Sequence, residues 1–185
     1  MRSHKLCDDN VVIRYKYIRN CQVMSILNGS LENIYLKHRQ QLFTVALSIT
    51  KCPDRAEDAI HNAFQRLFRL GSIPGNLKVY VFKSVRNAAI DQYRLNSRPT
   101  TEITDYIIDP GDGPVEKANE KEFEHSVNQA LLKLSEMERE TIVDHLYADL
   151  TFKEIARILG IPRSTVVSCY YRGIKKLRAL LEVKL

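Results

Sequence analysis

The stretch that most constrains this chain is TFKEIARILGIPRSTVVSCYYRGIKKLRALL, which begins at Thr151. Thr151 followed three residues later by Glu154 is a capping box, in which two residues satisfy each other's free backbone donors and fix a helix start. Ala156, between Ile155 and Leu159, is small enough for a partner helix to cross closely. Gly160 ends the helix, because a positive φ at a helix C-terminus is cheap only for glycine. Pro162 suits the first turn of the next helix, where its missing N–H costs nothing. That second helix repeats apolar residues at Val166, Tyr170, Ile174, Leu177 and Leu181. Its other face carries Arg163, Ser164, Thr165, Ser168, Tyr171, Arg172, Lys175 and Lys176. Short helix, glycine turn and long basic helix make a helix-turn-helix, the geometry that lays a helix in the major groove of DNA. In that pose the N-terminal side chains reach base edges and the later lysines meet phosphates. An ordinary helical hairpin with a basic face is the alternative; the agreement of cap, small residue, glycine, proline and charge weighs against it.

Charge is distributed to the same effect. Of the 185 residues, with a net charge of +6, residues 151–185 hold eight Lys/Arg against two acids. Residues 76–98 hold five (Lys78, Lys83, Arg86, Arg94, Arg98) against Asp91, whereas 99–126 hold eight acids against Lys117 and Lys121. Two basic segments separated by an acidic one suggest two contacts with a polyanion. Solvated surface charge would be the ordinary explanation of either segment alone, but both coincide with helical patterns of defined face.

The rest of the chain reads as helix. Residues 1–25 show no clean period and form a loosely ordered extension, with Met24 an alternative start. Ser30 can cap a helix running to about Ile49, with Ile34, Leu42, Val45, Ala46 and Ile49 on one side. Pro53 and Asp54 open a second helix, whose apolar residues Ala56, Ala59, Ile60, Ala63, Phe64, Leu67 and Phe68 recur at spacings of 3 and 4. Gly71, Pro74 and Gly75 break the pattern. A third helix, from about Leu77 to Asn96, buries Val81, Val85, Ala88, Ala89 and Tyr93 and turns Lys83, Arg86, Asn87, Asp91, Arg94 and Arg98 outward. Three prolines, two glycines and many acids make 99–118 a flexible linker, or else a long surface loop. Helix returns from Glu122 to Leu134, and Ser135 can cap another containing Ile142, Val143, Leu146 and Tyr147. The expected architecture is all-α. Two small helical domains, 26–98 and 119–185, are joined by the acidic linker, and the C-terminal one is the helix-turn-helix.

Several classes are disfavoured. No apolar run approaches the roughly 20 residues of a membrane-spanning helix, and the N-terminus lacks the apolar core of a signal peptide. Cys7, Cys21, Cys52 and Cys169 are scattered, without a Cys-x-x-Cys pair, which suits free thiols in a reducing cytoplasm. The five histidines fall on different segments, and no catalytic triad, phosphate loop or carboxylate cluster at metal spacing appears. No enzyme activity, cofactor, metal or small-molecule substrate is expected.

With both basic helices in view, the chain resembles bacterial RNA polymerase sigma factors of the compact extracytoplasmic-function type. The resemblance covers about residues 28–182. RAEDAIHNAFQRLFRL (55–70) looks like the family's polymerase-binding helix: Glu57 and Asp58 match, His61 and Asn62 stand where Gln and Glu are usual, and Gln65 follows on the same helix. VYVFKSVRNAAIDQYRLNSR (79–98) is similar to the helix that engages the −10 element, with Arg86, Asn87, Asp91, Arg94 and Arg98 at matching positions and Tyr80 where Trp is common. LTFKEIARILGIPRSTVVSCYYRGIKKLR (150–178) matches the reader of the −35 element. Cys169 replaces a frequent Arg there, losing a phosphate contact, and Gly173 replaces a frequent Ala, loosening the helix by up to ~1 kcal/mol. The resemblance implies core RNA polymerase and promoter DNA as partners, and allows an anti-sigma factor.

The residue chemistry is compatible with this role. Holding an opened strand takes a basic groove and a surface that accepts a flipped base, placed here at the loop 71–76. Lys83, Arg86 and Arg94 would serve phosphates, while Asn87 and Asp91 can bond a base edge. An ion pair with Arg94 is an equal alternative for Asp91. Phe64, Phe68, Phe82 and Tyr93 read as core rather than as stacking platforms. The competing function is a dimeric helix-turn-helix repressor or activator acting without polymerase, which leaves the basic helix 76–98 unexplained.

Overall fold

The computed structural model describes residues 22–70, 75–95 and 118–182, which form seven α-helices and no strand. They are α1 (Gln22–Thr50), α2 (Pro53–Phe68), α3 (Leu77–Leu95), α4 (Ala118–Leu132), α5 (Glu136–Leu146), α6 (Phe152–Leu159) and α7 (Arg163–Glu182). The extension before Gln22, most of the loop 71–76, Arg98 and nearly all of the linker 99–118 lie outside the described residues.

The N-terminal half is a three-helix assembly of α1, α2 and α3, each packed on the other two. The first helix begins at Gln22, not at Ser30, and departs from helical geometry at His38 (φ −120°, ψ 16°). The His38 ring meets the edge of Phe82 at 6.0 Å. Beyond this kink Leu42, Val45, Ala46, Leu47 and Ile49 are all buried. Polar residues share the interior because their hydroxyls bond back to the helix: Thr44 to the Gln40 carbonyl, Ser48 to Val45 and Thr50 to Ala46, at 2.8–3.0 Å. The second helix starts with Pro53 in its first turn and buries all seven apolar residues expected from the 3/4 spacing. The third buries Val79, Val81, Phe82, Val85, Ala88 and Ala89. Tyr93 departs from expectation: it is 45% exposed, on a last turn that runs past the packed core together with the exposed Leu95.

In the C-terminal half α4 starts slightly before the expected Glu122 and ends at Leu132. Ser135 and Glu138 then form a reciprocal capping box that opens α5. Leu146 and Tyr147, included in the apolar set of that helix, are exposed at its end, and Ala148 and Leu150 are buried instead. Thr151 and Glu154 form the second box: the Thr151 N–H and hydroxyl donate to the Glu154 carboxylate at 2.9 and 2.8 Å, and the Glu154 N–H donates back at 3.3 Å. Gly160 closes α6 in the left-handed conformation (φ 70°). The carbonyl of Pro162 accepts the first bonds of α7 from Thr165 and Val166.

The two halves are not apart in space. Helix α5 packs on α1 and α6 on α3, and one apolar cluster runs from Leu31 in α1 to Val166 in α7.

The second capping box is directly testable. Burial works against the charge of Glu154, but the bonds from Thr151 prevail and hold its carboxyl below the usual range. A depressed folded-state pKa means that the contribution is present above the unfolded value and fades as acidification protonates Glu154. Thr151→Ala is expected to cost about 1 kcal/mol at neutral pH, with the deficit shrinking below about pH 4. Denaturant titrations of both proteins at pH 7 and at about pH 3 would check this.

Candidate nucleic-acid interface

The outward face of α7 is assembled by what its inward face does. Val166, Cys169 and Gly173 are buried, and Tyr170, Ile174 and Leu177 pack on the same core. Arg163, Ser164, Thr165, Ser168, Tyr171, Arg172 and Lys175 lie exposed on the side away from it, whereas Lys176, also exposed, turns its ammonium to Glu138 of α5. Tyr171, 64% exposed, leans edge-on against Tyr170 at 5.5 Å. Tyr170 is in turn edge-on to the stacked pair His145 and Phe152. These rings tie α5, α6 and α7 together, so the helix that presents the polar side chains is rigidly held.

One expectation about α7 is corrected and another is extended. Cys169 does not stand where a phosphate would be met: it is 4% exposed, faces inward, and its sulfur receives a 3.4 Å contact from Arg172. Gly173 does more than loosen the helix, because a Cβ there would lie 2.7 Å from the Ile142 Cδ1 and 3.2 Å from the Glu138 Cβ. Its missing side chain lets α7 approach α5 closely, a packing reason that overrides helix propensity. Lys176 has its ammonium within 2.8–2.9 Å of both Glu138 oxygens. Burial opposes the charge of Glu138, yet the bonds from Lys176 and Ser135 draw its carboxyl below the ordinary value.

On α3, Lys83, Asn87, Asp91 and Arg94 are exposed, as expected. Asp91 reaches across to Arg66 of α2 at 3.5 Å, an open pair of little energetic consequence. Arg86 is the exception to the outward pattern. Its Nε and Nη2 donate to one oxygen of Glu140 in α5, at 3.2 and 2.8 Å, leaving the side chain only 18% exposed. Lys78 also reaches the C-terminal half, donating to the Asp149 carbonyl at 3.3 Å.

On α2, Glu57 and Asp58 are exposed while His61, Asn62 and Gln65 are half-buried, with Gln65 and His61 hydrogen-bonded at 2.6 Å. These five occupy the side of α2 opposite its apolar stripe.

Sequence patterning missed Glu140 and Asp144, which are 3% exposed on α5. Burial pushes Asp144 up to about 8, with the neighbouring Glu140 adding to the effect. Burial also raises Glu140 despite the Arg86 guanidinium beside it. The one available signal was their spacing of four, which puts both on one face of a helix otherwise rich in charge. The Arg86 partner of Glu140 lies 54 residues earlier, beyond the reach of any local pattern. Among the described residues no group of three His, Cys, Asp or Glu is arranged to hold a metal, and no helix is long and apolar enough to cross a membrane.

The model of Sigma-70 region 2 matches residues 34–98, and that of Sigma-70, region 4 matches residues 130–179. The ECF RNA polymerase sigma factor SigM of Bacillus subtilis is 25% identical over 154 residues, covering 82% of this chain and 94% of that protein. Among solved structures, the sigma factor RpoE in complex with the anti-sigma factor NepR from Bartonella quintana superposes with a TM-score of 0.65 at 23% identity. It covers 84% of this chain and 99% of that one. CnrH in complex with the cytosolic domain of CnrY gives a TM-score of 0.63 at 20% identity, covering 89% and 95%. The first matched region is the α1–α3 assembly with its basic helix, and the second is the module that displays α7. The chain belongs to the sigma-70 family of RNA polymerase sigma factors, as a member of its extracytoplasmic-function type.

Proposed function

We propose that the chain is a non-enzymatic, cytoplasmic specificity subunit that brings core RNA polymerase to promoters and contacts DNA at two places. Residues 26–98 form the unit that binds polymerase and the −10 element, residues 119–185 the unit that reads the −35 element, and 99–118 the strap between them. On α7, Arg163, Ser164, Thr165, Ser168, Tyr171 and Arg172 face base edges, Lys175 meets phosphates, and Lys176 joins it on leaving its ion pair with Glu138. On α3, Lys83 and Arg94, and Arg86 on leaving Glu140, serve the phosphates of the opened strand, and Asn87 and Asp91 bond a base edge; Arg98, outside the described residues, belongs to the same basic run in the sequence. Glu57, Asp58, His61, Asn62 and Gln65 of α2 dock on the polymerase. A partner of the anti-sigma kind fits the same reading, since one structural neighbour was solved with the anti-sigma factor NepR.

The observation that carries this reading is the outward face of α7: polar and cationic side chains exposed on a helix whose other side is fixed by Val166, Cys169 and Gly173. Run-off transcription with purified core polymerase on a randomised promoter library tests it. Enriched promoters should share an upstream motif and a downstream opened motif at fixed separation. Arg163→Ala and Arg172→Ala should each relax the upstream preference, by about 1–3 kcal/mol where a bidentate base contact is lost. Unchanged selectivity in both variants would remove α7 from the reading role. A chain that alone footprints a palindromic duplex, with no response to polymerase, would instead identify a dimeric repressor or activator.

A further inference from the structure

Three of the cations read as DNA-binding are held within the chain, by two kinds of acceptor. Arg86 gives two bonds to a Glu140 oxygen, and the Lys176 ammonium lies within 2.9 Å of both Glu138 oxygens. Each of these faces an acid, and must leave it before it can meet a phosphate. Arg172 differs. Its Nη2 donates to the Cys169 sulfur at 3.4 Å, about one turn back on the same helix. The sulfur is fixed in place, because Cys169 is 4% exposed on the side of α7 that also buries Val166 and Gly173. Arg172 is itself exposed, and the one acid within α7 is Glu182, ten residues further on.

A carboxylate in the place of this sulfur would hold the guanidinium more strongly, and would also cancel its charge. A cysteine sulfur is a weak acceptor with no formal charge. It restrains the long side chain, takes one of five N–H donors, and leaves the other four and the whole positive charge for another partner. An arginine ordered only on binding loses its rotamer freedom at that moment, and a restraint already present makes the loss smaller. The contact also sets a direction. Since Cys169 precedes Arg172, the guanidinium is drawn toward the N-terminal half of α7, which carries Arg163, Ser164, Thr165 and Ser168. Side chains from that half of a recognition helix are the ones that reach base edges.

We propose that Cys169 is a positioning residue for DNA readout: its buried sulfur presets the guanidinium of Arg172 and so sharpens the base preference that Arg172 confers. The proposal rests on the reading of α7 as the helix that faces base edges. Cys169 touches no DNA and acts through Arg172 alone. A restraint of this kind changes preference more than affinity. At a mismatched base pair an unrestrained arginine can swing to a phosphate and keep a favourable contact that carries no sequence information. A restrained one gives up the sulfur to do so, so the penalty for the wrong base is larger.

The test uses the full chain with core polymerase, and run-off transcription from promoters randomised in the upstream element. Arg172→Ala first locates the base pair whose preference depends on Arg172. Cys169→Ala should lower the preference at that same base pair about threefold, the scale of one weak hydrogen bond, and leave the other base pairs unchanged. Cys169→Ser keeps an acceptor of similar size and should restore most of the loss. In the Arg172→Ala background, Cys169→Ala should have no further effect on preference. Melting curves of each variant report separately on the fold, and the serine variant reads the role of the acceptor with the site still filled. If Arg172→Ala relaxes no base pair, the reading of α7 at Arg172 falls and the positioning role falls with it. If Arg172→Ala relaxes one while Cys169→Ala leaves it intact, the reading of α7 stands and only the positioning role fails. A loss in Cys169→Ala that persists without Arg172, or spreads over every upstream base pair, marks a packing role and overturns the proposal as well.

Discussion

Phe82→Ala is expected to lower stability by about 3–5 kcal/mol, a large share of the ~5–15 kcal/mol that holds a domain together. Phe82 is 1% exposed and lies where α3 meets α1, against the edge of the His38 ring, with the Lys78 ammonium 5.9 Å from its centroid. Removing the ring leaves a cavity beside the α1 kink, where His38 already departs from helical geometry and cannot simply close the gap. For a chain of this length the loss corresponds to a fall in melting temperature on the order of 10 °C. Thermal unfolding followed by circular dichroism would measure it. Tyr93→Ala is the control: at 45% exposure the same kind of truncation should cost under ~1 kcal/mol. Equal losses in the two variants would mean that the ring of Phe82 does not fill the core.

The double substitution Glu57→Lys, Asp58→Lys should abolish co-purification with core polymerase while the melting curve stays within about 0.5 kcal/mol of the original. Both residues are exposed on α2, and the buried stripe beneath them, Ala56, Ala59, Ile60 and Ala63, is untouched by the change. Placing like charges across a polar interface costs several kcal/mol, or at least about a hundredfold in affinity. Transcription that persisted through the reversal would move polymerase docking to another face of the molecule.

Much of this architecture was legible because it is local. The seven buried residues of α2 follow from 3/4 spacing alone, and both capping boxes, with Gly160 between the helices of the reading module, follow from short-range hydrogen-bond chemistry. The outward residues of α7 were legible for the same reason: period and charge agree over twenty residues. What was not legible depends on distant segments. Nothing near Gly173 reveals that Ile142 and Glu138 crowd its missing Cβ, and nothing near Arg86 reveals that Glu140 will claim it. Tyr93 was misplaced because periodicity says which side of a helix is apolar, not how far along the helix the neighbours extend. The kink at His38 likewise leaves no trace in an otherwise helical pattern.

The tight seat of α7 on α5, made by Gly173, has an evolutionary corollary. Residues 166, 169 and 173 are constrained by volume, whereas the solvent side between Arg163 and Lys175 makes surface contacts such as Tyr171 on Tyr170 and Arg172 on the Cys169 sulfur. On the proposed reading of α7, exchanges there alter the DNA that is preferred while costing the fold little. Lineages can therefore retarget such a chain to new operons by single-codon steps, with the scaffold inherited intact.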